Sequence, residues 1–138
     1  MIRTLFAGFL YFTVVFAAGF VLGALRMLVL APALGASVAI VLEVPVILLI
    51  SWYACRAIVD RMDVPAIVSH RVTMGALAFA ILMLAELSLS MVLLGRSFSQ
   101  HLLAYAAAGS MLGLGAQIAF ALFPTVQLAM ASGARRRA

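Results

Sequence analysis

The 138-residue chain has no lysine, four acidic residues, one cysteine and one tryptophan, and each scarcity removes a class of protein. Charged side chains make up 9% of it, far below the roughly 25–35% that a water-facing surface carries. A soluble globular domain is therefore excluded. The single Cys55 rules out an intramolecular disulfide, and no cluster of cysteine and histidine has the spacing of a metal site. No nucleotide or metal motif is present, and Ser51, Ser88, Ser90 and Cys55 form no recognisable catalytic constellation with the glutamates. An intramembrane enzyme is the least supported class. The absence of lysine against nine arginines reads as genomic composition bias rather than mechanism.

What the chain has in abundance is hydrocarbon, at 67% hydrophobic residues. About 20 residues at 1.5 Å rise cross a 30 Å hydrocarbon core, and four apolar runs reach that length, at about 5–31, 36–58, 73–95 and 102–130. They predict an all-α polytopic membrane protein, a single four-helix transmembrane domain with its helices in an antiparallel bundle. The first run begins with Arg3, but its apolar stretch is far longer than the h-region of a signal peptide. It reads as a retained helix.

A net charge of +5 would point to nucleic acid in a soluble protein; here it marks membrane sidedness, and no nucleic-acid partner is expected. Arg3, Arg56, Arg61, Arg71, Arg135, Arg136 and Arg137 fall at the N-terminus, the second connection and the tail. The other connections hold Arg96 and a neutral Ala-Pro-Ala-Leu-Gly-Ala stretch. With Arg26 set aside as intramembrane, seven arginines lie on one side and one on the other. The positive-inside rule then puts both termini in the cytoplasm.

At 100° per residue, Gly8, Val15, Gly19 and Arg26 share one face of the first helix, with Gly23 at its margin. Phe6, Phe9, Phe16 and Phe20 lie opposite, on a lipid-facing or outer-packing surface. Pro32 is expected to end this helix. The second helix carries Glu43, Ile47, Ile50 and Ala54 in one stripe and Pro45 beside Glu43, the third Gly75, Phe79, Leu82, Glu86 and Ser90, and the fourth Ser110, Gly113, Gln117, Ala121 and Pro124. Gly19-x-x-x-Gly23 and Gly109-x-x-x-Gly113 are candidate packing seams, because small residues let helix backbones approach closely in lipid. Pro45 and Pro124 each remove a backbone donor and are candidate kinks. His70, next to Arg71, reads as an interfacial histidine.

Arg26, Glu43 and Glu86 are ionisable groups inside apolar runs, where each charge costs about 2.5–3.5 kcal/mol on insertion scales. Counted from the outer helix ends at 1.5 Å per residue, they lie roughly 8, 10 and 14 Å deep, all in the outer half of the bilayer, with Gln117 near the midplane. They predict a buried Arg–Glu–Glu network, with Gln117 and Ser90 as further polar members. Since one guanidinium cannot fully compensate two carboxylates, either Arg26 bridges both or one acid, expected to be Glu86, is protonated. No metal or cofactor is called for, although such a cluster leaves room for a bound lipid headgroup, quinone or pigment.

The stretches Gly19-Phe-Val-Leu-Gly-Ala-Leu-Arg26, Ala31-Pro-Ala-Leu-Gly35, Leu42-Glu-Val-Pro45 and Ala85-Glu-Leu87 resemble a group of small, uncharacterised bacterial four-helix integral membrane proteins. The resemblance implies a bacterial inner membrane and carries no activity with it. Two functional readings follow from the residues. One is an accessory, assembly or interaction subunit of a membrane complex, a homo-oligomer or a partner of other membrane subunits. The other is an oligomeric proton-coupled transporter or ion channel using Glu86 and Glu43.

Overall fold

In lipid a spanning segment must satisfy its own N–H and C=O groups, and a continuous helix does so within one stretch of chain. The computed structural model describes residues 1–95, 97–104 and 108–135, and every regular element in them is helical. In chain order these are α1 (Ile2–Leu25), a π-helical turn (Arg26–Leu30), α2 (Ala31–Leu34), α3 (Ala36–Arg61), α4 (Val68–Leu94), α5 (Phe98–Ala104) and α6 (Ala108–Arg135). Four helical segments are long and apolar enough to cross a membrane: Ile2–Leu34, Ala36–Arg61, Val68–Val92 and Met111–Gly133. The chain is thus an all-helical protein of multi-pass membrane type.

The first span corrects one expectation. Pro32 does not end it; helical backbone continues to Leu34 and breaks at Gly35, whose φ of 86° lies where side-chain-bearing residues rarely go. Pro32 cannot donate to the carbonyl four residues back, Leu28. The chain widens into the π turn just before it, where Ala31 N–H reaches the Arg26 carbonyl five residues back. The span continues past the proline by changing its hydrogen-bond register.

The fourth run is described in two helical stretches, α5 and α6, with residues 105–107 outside the described ones, and Ser97 and Gln100 start α5 with a reciprocal cap. Ser97 N–H donates to Gln100 Oε1 at 2.9 Å, and Gln100 N–H donates to Ser97 Oγ at 3.3 Å. Pro45 and Pro124 lie inside helices that run on past them.

Helix α1 packs against α3 and α4, and α6 packs against the same two, which makes a ring with α1 and α6 on one diagonal. Residues early in α1 lie beside residues early in α4, and residues late in α3 beside residues late in α6, as Thr4–His70 and Trp52–Gln127 show. The core gathers at the end of the bundle near the 62–67 connection. It is built from Ala7, Tyr11 and Val15 of α1, Cys55, Ile58 and Val59 of α3, Met74, Ala78 and Leu82 of α4, and Phe120 of α6. On α3 the buried line runs from Ala39 to Ser51, Cys55 and Ile58, rotated slightly from the predicted stripe. Phe6, Phe9 and Phe20 are exposed as expected, whereas Phe16 turns inward against the core.

Among the described glycines, the tightest approaches of a neighbouring backbone fall at Gly8 and Gly75. A Cβ at Gly8 would sit 2.9 Å from the Met74 carbonyl oxygen, and one at Gly75 would collide with the carbonyl oxygen of Ala121. Gly19 makes an ordinary contact with Ile47, while Gly23 and Gly113 face open space in the single chain. The side-chain surroundings of Gly109 lie outside the described residues.

Tyr11 joins the diagonal helices. Its ring stacks on Phe120 with centroids 4.3 Å apart, and its hydroxyl donates to the Phe120 carbonyl at 3.1 Å. That carbonyl would ordinarily accept the N–H four residues on, but position 124 is proline and has none. The phenol fills the vacancy in a fully buried place. Tyr11→Phe is therefore expected to destabilise the fold by about 1–3 kcal/mol, the cost of a buried acceptor left alone. In a Pro124→Ala background, where a backbone N–H is restored, the same change should cost distinctly less. Thermal unfolding of the four chains in detergent micelles checks this, and an equal loss in both backgrounds contradicts it.

Candidate functional site

Four polar residues of the spans fall into two pairs, each closing two neighbouring helices. Arg26 opens the π turn after α1, and its Nε lies 2.7 Å from Glu43 Oε2 on α3. The contact is an ion pair by distance, although the Nε–H is not aligned well enough to count as a hydrogen bond. The side chains are 33% and 17% exposed, so the pair lies at the rim of the bundle rather than sealed within it. Two residues beyond Glu43, Pro45 leaves the Val41 carbonyl without its usual helical donor, so a charge and a freed carbonyl lie within one turn.

The second pair is Glu86 of α4 with Gln117 of α6, whose Nε2 donates to Glu86 Oε1 at 2.5 Å. Among the described residues, then, the expected Arg–Glu–Glu network resolves into Arg26 with Glu43 and Glu86 with Gln117. The amide takes the place beside Glu86 that Arg26 was expected to share. A guanidinium engaged at 2.7 Å by one carboxylate on its neighbouring helix has little reach left for an acid carried on the other pair.

Ser90 was expected either to bond Glu86 or to back-bond its own helix, and does neither. It is 5% exposed, and its hydroxyl has no hydrogen-bond partner among the described residues. The Oε1 of Gln117 is likewise buried without a partner among the described residues. Ser51 and Ser88 show the ordinary alternative, each donating to the carbonyl four residues back at 2.7 Å. Two polar atoms with unused bonding capacity thus belong to the Glu86 side of the bundle.

Two polar features at the other end went unforeseen. Thr4 Oγ1 lies 2.6 Å from His70 Nδ1, tying the start of α1 to the start of α4 with a fully buried threonine. Arg71 folds back on the 62–67 connection, its Nε donating to the Pro65 carbonyl at 3.2 Å and its Nη2 to the Val64 carbonyl at 3.1 Å. The connection needs such a clasp, because Asp63 adopts a φ of 48° and Val64 is buried. The sequence signal for both was polar residues beside Pro65 at a helix start, which reads equally well as a solvated turn. Arg96, Arg136 and Arg137, which enter the charge asymmetry, lie outside the described residues.

Comparison with family models, with curated proteins and with solved structures returns no match. The site must be read from its own chemistry.

If the Arg26–Glu43 contact holds the first two spans in register, Arg26→Gln and Glu43→Gln should each destabilise, and the double substitution should cost less than their sum. The expected coupling is roughly 0.5–3 kcal/mol, read by unfolding in mixed micelles. Simple additivity removes the pair from the account.

Proposed function

We propose that this chain is a small multi-pass protein of a bacterial inner membrane, its consecutive spans antiparallel and both termini cytoplasmic. It works there as an accessory, assembly or interaction subunit, as a homo-oligomer or beside other membrane subunits. The proposal includes the resemblance to small bacterial four-helix membrane proteins. The arginine distribution supports the sidedness, and the contact of Arg26 late in the first span with Glu43 early in the second supports the antiparallel order.

One observation carries the functional reading. The mid-span carboxylates are engaged inside the chain, on Arg26 and on Gln117, while Gly23 and Gly113 are left open on the outside. Charges used this way fix which helices pair. Open small-residue positions suit close approach by another helix, since lipid supplies no hydrophobic drive and packing must do the work. The test is oxidative crosslinking of Gly23→Cys and Gly113→Cys chains in native membranes, with native mass measurement in mild detergent. Specific adducts at either position and a mass above that of one chain are expected. A clean monomer with no adduct at either site overturns the reading.

A second reading, an oligomeric proton-coupled transporter or channel using Glu86 and Glu43, is favoured by the unpartnered Ser90 hydroxyl and Gln117 Oε1. Buried polar atoms with spare capacity are what a hydrated proton path requires. On this reading Glu86→Gln abolishes proton-linked flux in liposomes while the fold survives. Wild-type chain indifferent to an imposed proton gradient removes it.

A further inference from the structure

The end of the bundle near the 62–67 connection holds a cavity of about 430 Å³ between the late parts of α3 and α6 and the start of α4. Trp52, Arg56, Asp60, Arg71, Gln127 and Leu128 form part of its wall. Two guanidiniums stand against one carboxylate, so these groups leave one positive charge in excess. Asp60 and Arg56 are both exposed, and neither forms an ion pair among the described residues.

Arg71 is the unusual member. It is 7% exposed, and a cation so deeply placed ordinarily needs a partner of opposite charge. Its Nε and Nη2 bind two carbonyl dipoles, those of Pro65 and Val64, and among the described residues no carboxylate pairs with it. Carbonyls fix the plane of the guanidinium without neutralising it. Nη1 makes no hydrogen bond among the described residues, which leaves donors in a rigid fork beside the cavity.

The rest of the wall is equally well held. Gln127 Nε2 donates to the Trp52 carbonyl at 2.9 Å, and the Trp52 ring meets Phe123 edge-on at 5.2 Å. Trp52 and Leu128 add apolar surface to the same wall. Tryptophan and arginine at the end of membrane-crossing helices lie at headgroup depth, where anionic phosphates are concentrated.

We propose that this cavity binds a phosphate group of uncompensated negative charge, with Arg71 as the fixed contact and Arg56 as the adjustable one. A phosphate matches the planar donors of a guanidinium two at a time. The same chemistry is offered by the headgroup of an anionic phospholipid, whose glycerol and first methylenes would lie along Trp52 and Leu128, or by free phosphate. This site is separate from the Arg26–Glu43 and Glu86–Gln117 pairs and does not depend on the reading given to them.

Trp52 is the chain's only tryptophan, so its fluorescence reports on the cavity. The full chain in uncharged detergent is titrated separately with dihexanoyl phosphatidylglycerol, dihexanoyl phosphatidylcholine and inorganic phosphate. A saturable change is expected with the phosphatidylglycerol and none of comparable affinity with the phosphatidylcholine. Saturation by inorganic phosphate as well supports the site and assigns its source as the free ion. Arg56→Gln should weaken binding about tenfold, with Arg56→Lys recovering part of the loss and Arg3→Gln, outside the cavity wall, binding as wild type does. Arg56 is exposed and makes no side-chain hydrogen bond or ion pair among the described residues, and unchanged far-ultraviolet dichroism checks that its replacement leaves the fold intact, whereas Arg71 also clasps the connection and is the poorer probe. The proposal is overturned if neither phosphate source saturates, if phosphatidylcholine binds as well as phosphatidylglycerol, or if Arg56→Gln binds like wild type.

Discussion

A proline inside a membrane helix and a charge inside a membrane helix raise the same difficulty: a polar group is left with no water to bind. Several features that distinguish this chain from four plain apolar helices answer that difficulty with a partner on another part of the same chain, while the Ser90 hydroxyl and Gln117 Oε1 do not find one among the described residues. Pro124 orphans the Phe120 carbonyl, and the Tyr11 hydroxyl crosses the bundle to it. Pro32 would orphan the Leu28 carbonyl, and the backbone shifts to a π turn that brings Arg26 to its start. Arg26 in turn meets Glu43, and Glu86 meets Gln117. Hydrocarbon packing alone is a weak guide in lipid, because a lipid tail is as good a neighbour as leucine. Polar partners and close backbone approaches therefore choose which helices lie side by side.

These devices are distributed unevenly along the bundle. The end near the 62–67 connection combines Tyr11 on Phe120, Thr4 against His70, Arg71 on the loop carbonyls and the two tight glycines, Gly8 and Gly75. The end near Gly35 relies on its polar pairs, and much of its apolar surface is exposed, including Val21, Leu28, Val41 and Val92. One half of the molecule is thus a packed core. The other is held by a few directional contacts, and such contacts are the ones that a partner, a proton or a solute can compete with. The candidate functional residues fall in that second half for this reason.

Much of this was legible in the sequence, but unequally. Four long apolar runs can be read directly, because hydrocarbon length is set by bilayer thickness. Arg26, Glu43 and Glu86 declare themselves, since charge in such runs is too costly to be accidental. Which charge meets which was not legible. Helical phase places Arg26 and both acids on inward faces, but whether α1 lies beside α3 or nearer α4 and α6 depends on packing that the phase does not encode. The small-residue motifs misled for a related reason. Gly8 and Gly75, alone in their surroundings, sit at the real crossings, whereas Gly23 and Gly113, in the recognisable spacing, face outward. The pairing of Tyr11 with Pro124 lies between these cases: a proline announces an orphan carbonyl four residues back, but not the donor that will come. Ser97-x-x-Gln100 announced the start of α5 and went unread amid the apolar signal around it.

The most direct test of this account is a distance measured in a bilayer. The chain contains only two glutamates, Glu43 and Glu86. Chain labelled with nitrogen-15 in the arginine guanidinium groups and carbon-13 in the glutamate carboxyls can be reconstituted into lipid and studied by rotational-echo double-resonance NMR. The account predicts strong dephasing of the Glu43 carboxyl, assigned by its loss in Glu43→Gln, and its disappearance in Arg26→Gln. A Glu43 carboxyl with no arginine nitrogen in contact would contradict the claim that the spans pair their own polar groups.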